Sequence, residues 1–179
     1  MATLDDPAPG APAPAIAAPV ASFATTQEAL ERCRRYRKEN GLYGVVEQDL
    51  GRIMLEVGAV GALTVPAALG ARVRDRLRAG GGPGAPAHGR CGPIIGHPRS
   101  GRWTFLAAHA DASIDDTAGL AALYRQCAAL ALAGTRIVLP SPADERTGYR
   151  VWIDSPEGHF RPDLAEVIEA IDGGHPPAR

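Results

Sequence analysis

Apolar positions along the chain fall into two kinds of pattern. Four stretches carry them at helical spacing, and seven shorter runs carry them as compact or alternating strands. The first helical stretch opens at Thr25-Thr26-Gln27-Glu28. Thr25 as N-cap and Glu28 three residues on fit a capping box, and Asn40-Gly41 is a stop. Its inner face holds Ala29, Leu30, Cys33 and Tyr36, with Arg32, Arg35, Arg37 and Lys38 largely outside. Runs 43–47 and 52–57, joined by the polar link 48–51 ending in Gly51, predict a hairpin. A short strand at 62–65 leads to Pro66, a residue suited to the first turn of a helix. Leu69, Val73 and Leu77 then form one apolar stripe. Runs 93–96 and 102–107 predict strands joined by the turn His97-Pro98-Arg99-Ser100-Gly101. Asp115-Asp116 suits the start of a helix over 117–132, with Leu120, Leu123, Cys127 and Leu130 on one face. Strand 136–139 ends at Pro140-Ser141-Pro142 and is expected to pair with 149–154 across a loop. Pro162 opens a last helix with Leu164, Val167, Ile168 and Ile171 inward. Adjacent strands with short turns and interspersed helices predict an α+β fold: antiparallel sheets built from hairpins, covered by helices.

Composition sets the limits of the domain. The Ala/Pro-rich segment 1–22 carries too few large apolar groups to offset its ordering entropy and is expected to be a disordered arm. Residues 23–172 form one domain, interrupted by a Gly/Pro loop at 80–90, and 173–179 is expected to be a disordered tail. The loop lacks the GxxxxGK[ST] pattern and follows a helix, unlike a phosphate-binding P-loop. The early apolar stretch is broken by Pro12, Pro14 and Pro19 and lacks a basic flank, so it does not read as a signal peptide. No run of apolar residues is long enough for a membrane-spanning helix. Three widely spaced cysteines, Cys33, Cys91 and Cys127, fit unpaired thiols in a reducing, cytoplasmic compartment. Cys33 and Cys127 are expected in the core.

The net charge of −1 conceals segregation. Residues 31–110 hold 13 basic against 6 acidic side chains, and residues 111–179 hold 6 basic against 11 acidic. Either the middle forms an anion-binding face or the two parts pair within the fold. Two polar clusters stand out. His97, Arg99, Arg102 and Trp103 gather around one turn, and Arg146, Tyr149, Arg150 and Trp152 around another. Guanidinium groups can hold phosphate bidentately, and aromatic rings can stack on bases. Alternation leaves open whether Trp103 or Thr104 enters the core. The alternative for both clusters is packing plus surface arginine. Neither Ser100 nor Ser141 lies in a nucleophile-elbow motif, and both read as turn residues. The His-x2-Cys-x5-His spacing at 88–97 lacks a fourth ligand and is not read as a metal site.

The same hairpins carry a resemblance. Gly92-Pro-Ile-Ile-Gly-His-Pro-Arg-Ser-Gly-Arg-Trp-Thr-Phe-Leu106, Ile137-Val-Leu-Pro-Ser-Pro142 and Gly148-Tyr-Arg-Val-Trp152 resemble a group of short actinobacterial proteins. Those proteins are in turn similar to the N-terminal domain of bifunctional DNA primase/polymerases. Such domains hold two metal ions with an Asp-x-Asp-type pair on a strand. The comparable strand here, Gly61-Ala-Leu-Thr-Val-Pro66, has no carboxylate, and no His stands at 102–104, where the family's nucleotide-binding His would fall. The resemblance therefore implies a degenerate relative without polymerase activity, metal or other cofactor. The expectation is a non-catalytic binding module for nucleic acid or a nucleotide, acting through His97, Arg99, Arg102, Trp103, Arg146, Tyr149, Arg150 and Trp152. An alternative is a protein-interaction or regulatory module that pairs with itself through an edge strand. A third, metal-dependent nucleotidyl transfer, would need an ion near Asp111, Asp115 or Asp116.

Overall fold

A computed structural model describes residues 22–80, 91–108 and 117–172. The expected arm, the Gly/Pro loop, the C-terminal tail and Asp111, Asp115 and Asp116 fall outside these residues, apart from Ser22 and Gly80 at the edges. The chain runs α1 (Phe23–Asn40), β1 (Val45–Glu47), β2 (Arg52–Glu56), β3 (Val60–Pro66), α2 (Ala67–Ala79), β4 (Ile94–His97), β5 (Arg102–Ala108), α3 (Thr117–Arg125), β6 (Ala129–Leu130), β7 (Arg136–Leu139), α4 (Pro142–Thr147), β8 (Val151–Asp154) and α5 (Leu164–Asp172). The strands form two antiparallel sheets, ordered β1-β2-β7 and β6-β3-β5-β4-β8. This is the α+β architecture that the patterning predicts.

The larger sheet has two buried faces because its central strands are apolar at successive positions. On one face, Leu63, Val65, Ile94, Phe105 and Ala107 pack with Leu69 and Val73 of α2, Leu123 of α3, and Leu164, Val167 and Ile171 of α5. On the other, Ala62, Ile95 and Leu106 meet Ile53 and Leu55 of β2, Leu139 of β7, and Ala29, Cys33 and Tyr36 of α1. The small sheet and α1 thus cover one side of the large sheet, and α2 and α5 the other.

Several local expectations are corrected. The N-cap of α1 is Ser22, whose hydroxyl accepts from the Thr25 amide, so Thr25 lies inside the helix. The helix begins one turn early because Ser22 is an equally good cap. The helix expected over 117–132 stops at Arg125. The chain then turns through Cys127, which adopts φ 54°, to add β6 alongside β3, with Leu63 opposite Leu130. Leu120 and Cys127, expected inward, are exposed; of that face only Leu123 is fully buried. The third correction sets the site. Strand 136–139 does not pair with 149–154: β7 pairs with β2, and β8 pairs with β4. Between them lies α4, a helix with Pro142 in its first turn and a full capping box. Ser141 accepts from the Asp144 amide, and Asp144 accepts from the Ser141 amide. That short helix carries the chain from one sheet to the other.

Candidate anion-binding cleft

The crossing from β7 to β8 leaves a cleft between the sheets of about 350 Å³. Its floor comes from one face of the large sheet. Thr64 and Thr104 are register partners on β3 and β5, and their hydroxyls lie 2.8 Å apart. Thr104 Oγ1 is also 2.8 Å from His97 Nε2. The strand period of two places His97, Arg102 and Thr104 on this face, since His97 sits opposite Arg102 in the β4–β5 ladder. Strand β7 contributes Arg136, Ile137 and Val138, and Ile95, Ser100 and Arg150 complete the lining.

Each cationic group is held differently. Arg102 Nη2 donates to the Thr64 carbonyl at 3.1 Å and the Cys127 carbonyl at 2.7 Å. Backbone oxygens thereby fix the guanidinium without neutralising it. Arg150 is drawn toward Asp144, at 3.4 Å, and lies over the Tyr149 ring, 4.5 Å from its centroid. Arg99 covers the same ring at 4.9 Å. Among the described residues, Arg99, Arg102 and Arg136 are in no ion pair, and no carboxylate lines the cleft. Burial, then the positive charges of Arg150 and Arg102, push the His97 imidazole below its ordinary 6.5, so it is neutral at pH 7. The cleft therefore offers three guanidiniums, hydroxyls and a neutral imidazole, the donor set for an oxyanion.

Comparison with protein-family models, curated proteins and solved structures gives no match.

The structure separates the residues singled out from sequence. His97, Arg102 and Arg150 converge on the cleft, with Arg99 and Tyr149 stacked beside Arg150. Trp103 faces the opposite side of the large sheet, packed against the helical core and lying against Gly70, with Arg74 over its ring. Thr104, not Trp103, therefore faces the cleft, although both are substantially buried. Trp152 is a structural residue. Its indole Nε1 donates to the Tyr36 hydroxyl at 2.8 Å, and that hydroxyl donates to the Pro140 carbonyl at 2.8 Å. Arg146 pairs with Glu28 of α1 at 2.7 Å.

Thr64, Thr104 and Arg136 were not singled out by sequence reasoning. The signal for the two threonines was a polar residue inside an otherwise apolar strand. Arg136 gave none, because its place depends on β7 leaving the expected hairpin. The segregated charges prove to be partly paired. Arg32 holds Glu145 at 2.8 and 3.0 Å, and Arg78 holds Asp154 at 2.6 Å. Asp154 also accepts from the buried Cys91 thiol, which burial holds above its ordinary pKa. No described helix is long and apolar enough to cross a membrane, and no three His, Cys, Asp or Glu groups among the described residues are placed to hold a metal ion.

Proposed function

We propose that this protein is a binding module that takes a phosphate-bearing ligand, a nucleotide or a nucleic-acid strand, in the cleft between its sheets, without transforming it. The observation that carries the reading is the convergence of Arg102, Arg136 and Arg150 on a cleft that no carboxylate lines among the described residues. Asp144 offsets Arg150, whereas Arg102 and Arg136 are in no ion pair among the described residues; clustered cations repel one another, and an oxyanion relieves that repulsion. The Arg99–Tyr149–Arg150 stack at the turn before β8 supplies a flat, partly exposed surface suited to a base.

The test is binding of labelled single- and double-stranded oligonucleotides and of a labelled mononucleotide at two salt concentrations. Arg136→Ala is the informative variant, because Arg136 is exposed and makes no ion pair among the described residues. Losing one phosphate contact lowers affinity and reduces the salt slope by about 0.7–0.9. An unchanged slope, or no binding at low salt, contradicts the reading. A second reading, self-association through β1, is favoured by the exposed Tyr43 and Val45 along that free sheet edge. It is opposed by Arg37, which occupies the Gly44 carbonyl beside the strand. Light scattering on the same sample separates the two: a concentration-dependent mass without ligand affinity supports the second.

A further inference from the structure

We propose that the cleft is a proton-linked site for divalent oxyanions, in which His97 takes up one proton as the anion settles among Arg102, Arg136 and Arg150. The inference rests on the cleft being an anion site, and it names the charge class of the ligand and the residue that selects it.

The geometry makes His97 easy to protonate at constant hydrogen bonding. Its Nε2 meets the Thr104 hydroxyl, which meets the Thr64 hydroxyl. A hydroxyl can donate or accept. In the neutral tautomer that carries its proton on Nδ1, Thr104 donates to Nε2. With a charged ring, Nε2 donates to Thr104, which turns to donate to Thr64. The chain reverses and no bond is lost. The opposition to protonation is the ring's burial and the surrounding charge. Arg102 stands opposite it on β5, Arg136 lines the same cleft from β7, and Arg150 precedes β8. From β3 the ring meets only the Thr64 hydroxyl, through Thr104, and the turn contributes Ser100. Asp144 of α4 reaches this group through Arg150, and Glu56 is the register partner of Arg136, beside it on the same face of the β2–β7 ladder.

A divalent anion cancels most of that opposing charge. It offsets the guanidinium charges and attracts the imidazolium directly, so the pKa of His97 rises on binding. By linkage, affinity must then increase as the pH falls through the interval between the free and bound pKa values. A monovalent anion supplies half the charge and a weaker linkage. For a phosphate ester, the effect is added to the ester's own ionisation. For sulfate, which does not titrate in this range, it belongs to the protein alone.

The experiment titrates the full chain with sodium sulfate, and in parallel with sodium nitrate, by calorimetry in two buffers of different ionisation enthalpy. The pH is stepped from about 7.5 to about 5.5 at constant ionic strength. The His97 ring signal is followed by NMR with and without sulfate. A one-unit rise in the imidazole pKa makes sulfate bind up to about tenfold tighter, the full factor being reached only below both pKa values. The expected result is that increase, with proton uptake, a His97 pKa raised by sulfate, weaker and flatter binding of nitrate, and pH-independent sulfate affinity in His97→Gln. Sulfate binding with the same pH dependence in His97→Gln, or a His97 titration unmoved by saturating sulfate, overturns the inference and leaves the anion site standing. No sulfate binding at any pH overturns both.

Discussion

Replacing Tyr36 by Phe removes one oxygen from a nearly sealed junction. That oxygen donates to the Pro140 carbonyl at 2.8 Å and accepts from Trp152 Nε1 at 2.8 Å and Arg32 Nη1 at 3.2 Å. Tyr36 is 4% exposed, and its ring meets Trp152 edge-on at 5.8 Å. Arg32 keeps its bidentate partner Glu145, so its loss is small. The buried Pro140 carbonyl and the indole N–H lose their partner in the junction. A buried polar group left without a partner costs about 1–3 kcal/mol. Two such groups, less the gain from burying one hydroxyl fewer, give a loss of about 3 kcal/mol. Urea denaturation followed by tryptophan fluorescence reads it. With a denaturant slope of about 2 kcal/mol/M, the midpoint falls by about 1.5 M. Because the Trp152 indole loses its hydrogen bond to Tyr36, the native emission should change as well. A midpoint shift under about 0.5 M would refute the reasoning, since it would mean that the junction is hydrated or its hydrogen bonds are interchangeable.

Three further outcomes are expected. Burial and two arginines hold His97 below its ordinary pKa of 6.5, so below that value the unfolded chain binds a proton that the folded one does not. Its contribution to stability is full above about pH 6.5 and is lost as the pH falls toward the folded-state pKa. Urea midpoints near pH 7.5 and pH 5.5 should therefore drop less for His97→Gln than for the parent, and equal drops would contradict this. Gly92 has φ 64°, and a Cβ there would lie 2.5 Å from Pro162 Cδ. Gly92→Ala should thus cost more than about 2 kcal/mol in a thermal melt, and an unchanged melting temperature would remove the claimed contact. Cys127 is exposed while Cys33 and Cys91 are buried, so a thiol reagent should modify one cysteine in the native protein and three after denaturation.

The sequence displayed its local structure more clearly than its long-range pairing. The β4–β5 hairpin is legible because Arg-Ser-Gly marks a turn between two apolar runs, and Asn40-Gly41 ends α1 as expected. The overlong third helix came from Ala128-Ala129-Leu130-Ala131-Leu132, an apolar run that continues a helical pattern as well as it fills a strand. Its place beside Leu63 of β3 decides, and periodicity does not carry that information. Ser141-Pro142-Ala143-Asp144 caps α4, but the apolar runs on either side favour a hairpin, and that expectation makes the segment between them a loop. That misreading also hid the cleft. His97 and Arg102 are neighbours across one turn and could be found from sequence. Thr64 reaches them through the β3–β5 ladder, Arg150 through the pairing of β8 with β4, and Arg136 only from the other sheet.

Arginine side-chain NMR during titration with a nucleoside triphosphate in metal-free buffer tests the central claim most directly. The account predicts saturable shifts of the Nε–H signals of Arg102, Arg136 and Arg150, with Arg76, which is tied to the Ala170 carbonyl on the far side of the large sheet, left in place. Shifts spread evenly over all the arginines, or none at the cleft, would contradict it.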